Sequence, residues 1–97
     1  MAEEKKEKDE QKLLEEPVSI KDILLMTILS LEGKAWAYLG LISHPETQKP
    51  KKDLNEAKLA IDSIDMLFKL MAPLLNNDEK KDIQNRLTNL RLNFVKE

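Results

Sequence analysis

Residues 23–31 read ILLMTILSL, nine consecutive positions without a charge in a chain that is 35% charged. A surface helix of a globular protein carries one apolar stripe and an opposite polar face. This segment is apolar on every side, so a neighbour on one flank does not cover it. The pattern predicts a first helix over residues 20–39. Ser19 stands at the N-cap position with Asp22 three residues later, and Gly40 suits the left-handed residue that ends many helices. Leu25, Leu29, Trp36 and Leu39 share one face. Leu24, Ile28, Leu31, Ala35 and Tyr38 share a second. Ser30, Gly33, Ala37 and Gly40 form a third, of small residues. Small residues admit another helix at close range, either helix 2 or 3 of the same chain or a symmetry-related helix. Gly33 costs a helix about 1 kcal/mol relative to alanine, which close packing would offset.

Two further helices follow. The linker ISHPETQKPKK, residues 42–52, contains two prolines and a run of polar residues and reads as a loop. Asp53 then caps helix 2, with Glu56 three residues on. Ala57, Ala60, Ile61, Ile64, Leu67, Phe68 and Met71 repeat at the helical period. Pro73 ends or kinks this helix. Asn76 and Asn77 supply a turn and a cap, and helix 3 is expected over residues 78–95. Asp78, Glu79 and Asp82 lie near its positive end, and Ile83, Leu87, Leu90 and Phe94 form its stripe. No strand pattern occurs. The expectation is an all-α fold, a small three-helix antiparallel arrangement over residues 18–97, completed by homodimerisation. Residues 1–17, rich in Glu and Lys and ending at Pro17, read as a disordered charged tail.

Size sharpens this picture. A chain of 97 residues makes one domain. A domain of that size buries only about 60–65% of its unfolded surface, so oligomerisation would add materially to its stability. The net charge of −2 hides an asymmetry. Residues 1–16 hold seven acids and four bases, so the rest of the chain is nearly neutral and offers no basic stripe for nucleic acid. The absence of cysteine excludes disulfides and thiolate metal sites and fits a reducing, cytoplasmic setting. The N-terminus has no basic-then-apolar secretory pattern. Glu32, Gly33 and Lys34 interrupt the most apolar window and argue against a membrane span.

Candidate chemistry is sparse. His44, the single histidine, lacks partners at metal-ligand spacing and reads as a surface loop residue. Glu32 falls on the apolar face of helix 1, where it marks the edge of the buried zone or pairs with a lysine or arginine. Asp62 and Asp65 flank the helix 2 stripe without the histidine that di-metal bundles supply, so ion pairs with Arg86 and Arg91 are the better reading, Asp62 with Arg91 above all. Lys49, Lys51 and Lys52 form a basic loop without interleaved aromatics. No phosphate-binding glycine loop and no nucleophile elbow are present. No cofactor and no metal are expected, and no catalytic role.

The order of features resembles a known family. Leu39-Gly40 ends an apolar helix. His44-Pro45-Glu46-Thr47 follows, then Asp53-Leu54, Ala57-Lys58, Ile61-Asp62-x-x-x-Met66-Leu67 and a closing Leu90-Arg91-x-x-Phe94-Val95. This pattern over residues 18–96 is similar to a family of short bacterial proteins known as domain of unknown function 1844. Gln48 stands where the family pattern has glycine, and Pro73-Leu74-Leu75 stands in place of a polar, glycine-containing turn. The resemblance implies a small, helical, cytoplasmic bacterial protein and no particular activity. The functional expectation is a non-enzymatic protein-interaction module that acts as a homodimer, with Ile23, Leu25, Met26, Leu29 and Trp36 at the interface. The same patch also suits a different protein partner. The alternative is an adaptor that contacts RNA or a ribonucleoprotein through Lys49, Lys51 and Lys52.

Overall fold

In the computed structural model, which describes residues 15–97, α1 spans Ile20–Tyr38, α2 Leu54–Met71 and α3 Asn77–Lys96. A single 3₁₀ turn, Ala72–Leu74, carries the chain out of α2. The fold is all-α, and no strand occurs among the described residues. The expectation for residues 1–17 falls mainly on residues 1–14, which lie outside the described residues.

Local chemistry sets each boundary. The Ser19 hydroxyl accepts from the Asp22 amide at 3.1 Å and starts α1. The Asp53 carboxylate accepts from the amides of Asn55 and Glu56 at 3.1 and 3.2 Å. Asn76 and Glu79 form a complete capping box, each side chain bonded to the other's backbone amide. Gly40, at φ 86°, ends α1. The Gly40 amide reaches the Ala37 carbonyl at 3.0 Å and the Leu41 amide reaches that of Trp36 at 3.1 Å, which is the Schellman arrangement. Pro73 stops α2 after Met71.

α1 and α2 form an antiparallel hairpin, drawn together where the Asp53 amide donates to the Tyr38 carbonyl at 2.9 Å. α3 packs mainly on α2 and meets α1 less extensively. The core lies where the three stripes converge. Ile28, Leu39, Ile64, Met71 and Leu90 are its largest fully buried side chains. Each contributes about 1.5–3 kcal/mol by leaving water.

The small-residue face of α1 is not a contact with helix 2 or 3 at its centre. A methyl group placed on Gly33 would meet nothing within 4 Å. The cause is rotational: Ile28, Ala35 and Leu39 point α1 at the core, and Gly33 lies on the far side of the helix.

Candidate interaction surface

The loop between α1 and α2 is held by His44, which is 4% exposed rather than a surface residue. The Lys51 carbonyl can only accept, so Nε2 carries the proton and donates to it at 2.9 Å. The Lys34 ammonium can only donate, so Nδ1 accepts from it at 2.8 Å. These two partners assign the ring as the Nε2–H tautomer. Its ring packs edge-on against Tyr38, with centroids 4.4 Å apart. Lys34 also reaches Glu46 at 2.6 Å, and this bond, with help from the Glu46 backbone, holds the Glu46 carboxyl below its usual range. Gln48 lies in the left-handed region at φ 59°. Glycine adopts that conformation without steric cost, and a glutamine does not. Together these contacts fix the shape of the loop. Lys49 and Lys51 are exposed on its rim, while the Lys52 ammonium bonds the Glu97 carboxylate.

Between α1 and α3 lies a shallow groove of about 200 Å³ with Leu25, Ile28, Leu29 and Ile83 as its apolar floor. Two ion pairs join the helices beside it, Lys21–Glu79 at 3.2 Å and Glu32–Arg86 at 2.6 Å. Glu32, the acid on the apolar face, thus finds its arginine on α3 and also accepts from the Trp36 indole at 3.3 Å. Arg86 bonds Asp82 as well, and the two carboxylates raise its pKa. The Asn76 amide, with Lys21, holds Glu79 below its usual range.

The expected pair of Asp62 with Arg91 is corrected. Arg91 approaches Asp65 at 3.5 Å, and Asp62 bonds Lys58 within its own helix at 2.8 Å. Asp65 is one turn nearer the α2–α3 seam and less exposed. Lys69 chiefly, and Arg91 after it, depress its pKa. Lys58, four residues before Asp62, is the nearer partner for that acid.

The expected interface residues divide into two groups. Leu25 and Trp36 are half-buried against the core. Ile23, Met26 and Leu29 are exposed along α1, beside open Gly33, with Met26 64% exposed. A second exposed row was missed from the sequence. Leu59, Met66 and Leu70 are 62, 72 and 70% exposed and run along α2 opposite its core stripe. Their spacing of seven and four residues is helical, but Lys58, Asp62, Asp65 and Lys69 interleave them and make that side of α2 look polar. The row borders a groove of about 350 Å³ between α1 and α2, lined by Leu31, Lys34, Tyr38, Glu56, Leu59, Ala60 and Ser63. Nothing from α3 reaches it.

Among the described residues no cluster of three His, Cys, Asp or Glu could hold a metal. No described helix is long and apolar enough to cross a membrane. Residues 21–96 match the family model described as domain of unknown function 1844. No curated protein and no solved structure matches the chain.

Proposed function

Because the chain belongs to the family of domain of unknown function 1844, which carries no assigned activity, we propose a role from its surface: a non-enzymatic protein-interaction module that acts as a homodimer. One observation carries this reading. The helices satisfy their common core yet leave apolar rows exposed on both α1 and α2. Monomers rarely expose contiguous apolar patches beyond a few hundred Å². A two-fold dimer covers one patch with its own copy and leaves the second available to another macromolecule. The grooves are shallow, and the polar groups beside the α1–α3 groove are engaged in ion pairs and a capping box rather than converging on a ligand. Light scattering on the purified chain tests the reading. It predicts a mass twice 11.2 kDa, and a mass of 11.2 kDa contradicts it.

A second reading, RNA contact through Lys49, Lys51 and Lys52, has one observation in its favour. Lys49 and Lys51 stand on a loop fixed by His44 and have no acidic partner among the described residues. Filter binding over a salt series tests it. Affinity falling steeply with salt supports RNA contact, since phosphate contacts release counterions.

A further inference from the structure

We infer that the second copy docks on the groove between α1 and α2, so that two α1–α2 hairpins form an antiparallel four-helix bundle with α3 on each outer side. This rests on the homodimer reading and assigns it a face other than the α1 ridge.

The contacts of α3 fall on Leu25, Leu29 and Glu32 of α1 and on Asp65 of α2. The groove takes Leu31, Lys34 and Tyr38 of α1 and Glu56, Leu59 and Ser63 of α2. At 100° per residue these sets lie on opposite sides of both helices. The hairpin is therefore a two-helix layer covered by α3 on one side and open on the other. Ile20 shares the α1 side of the open face by its spacing of eleven residues from Leu31, and is 67% exposed.

Area decides between the two candidate faces. A buried Leu, Ile or Met side chain removes about 120 Å² of apolar surface from water. Ile20, Leu59, Met66 and Leu70, each about two-thirds exposed, with half-buried Leu24, Leu31, Tyr38 and Leu67 beside them, present on the order of 400 Å². A standard interface buries about 800 Å² per partner, somewhat over half of it apolar. The open face supplies about that amount. Ile23, eleven residues from Lys34, borders the open face as well, and the remaining α1 ridge of Met26 and Leu29 supplies about a third as much.

Charge points to the same occupant. The charged residues lining the groove are Lys34 on α1 and Glu56 on α2, of opposite sign and at the same end of the hairpin. A two-fold axis parallel to the helices sets α1 of one copy over α2 of the other at equal height. Lys34 then faces the second copy's Glu56, twice over. Its ammonium has three donors, of which His44 and Glu46 take two.

The test is sedimentation equilibrium of the full chain and two variants, with circular dichroism to confirm that each stays helical. The wild type is expected at twice 11.2 kDa. Met66→Lys with Leu70→Lys, both at exposed positions, is expected to lose the dimer. Met26→Lys, on the α1 ridge, is expected to keep it. A dimer that survives Met66→Lys with Leu70→Lys but is lost in Met26→Lys overturns this assignment and leaves the homodimer reading standing. A monomeric wild type overturns both. The chain has no cysteine, so Ser63→Cys provides a second measurement that does not depend on the charged variants folding. A short bis-maleimide is expected to join two chains through it, and failure to do so in a dimeric sample overturns the assignment.

Discussion

Two residues in the α1–α2 connection share a left-handed backbone and differ in how well they suit it. Gly40 adopts φ 86° with no side chain to strain, and a Cβ there would sit 3.4 Å from the Lys52 side chain. Gln48 adopts φ 59° with a full side chain, partly offset by its amide donating to the Pro45 carbonyl at 2.9 Å. The left-handed conformation costs a non-glycine residue about 1–2 kcal/mol. Gly40→Ala is therefore expected to destabilise the fold by about 1–2 kcal/mol, and Gln48→Gly to stabilise it by about 0.5–1 kcal/mol. Chemical denaturation of both variants checks the opposite signs. His44 holds the same connection from inside. His44→Ala leaves the Lys51 carbonyl without its donor and opens space beside Tyr38. The expected loss is about 2–3 kcal/mol, read in the same experiment, and a loss under about 0.5 kcal/mol, the range of ordinary surface substitutions, would remove the loop-clamp account.

At the scale of elements, the caps tie stability to pH. The folded-state pKa of Glu79 is lowered, first by the Asn76 amide and then by Lys21. A lowered carboxyl pKa contributes stability that is complete above the unfolded value and is lost as pH falls through the folded one. Asp65 and Glu46 shift in the same direction. Stability should therefore fall on acidification from about pH 5 downward, and Glu79→Gln should flatten that fall. Thermal melts from about pH 7 to 3 check it. The helix pairing makes a separate prediction. A double-mutant cycle on Asp65 and Arg91 is expected to show coupling of about 0.2–1 kcal/mol, and one on Asp62 and Arg91 none. Much of this level was legible in the sequence. Ser19, Asp53 and Asn76 were readable as caps because their partners lie two or three residues away. The stripes of α2 and α3 were readable because helical spacing is local. The choice of Asp65 over Asp62, the pairing of Glu32 with Arg86 and the burial of His44 were not. Each depends on how two elements cross, and a one-turn difference in that crossing selects a different acid.

For the whole molecule, the apolar run on α1 pointed to a covering partner. The structure locates two open faces where the sequence pointed to one. Of the residues expected at an interface, Ile23, Met26 and Leu29 are exposed, while Leu25 and Trp36 turn toward the core and Glu32. The row of Leu59, Met66 and Leu70 was hidden by its charged neighbours, although those charges pair along their own helix or with α3. The central claim is that these faces are covered by association and that the first partner is a second copy. Sedimentation equilibrium across a concentration series up to about 100 μM tests it most directly, since a stable interface of ordinary size is much tighter than that. A species of twice 11.2 kDa that persists on dilution is the predicted result. A single species of 11.2 kDa at every concentration would contradict the account.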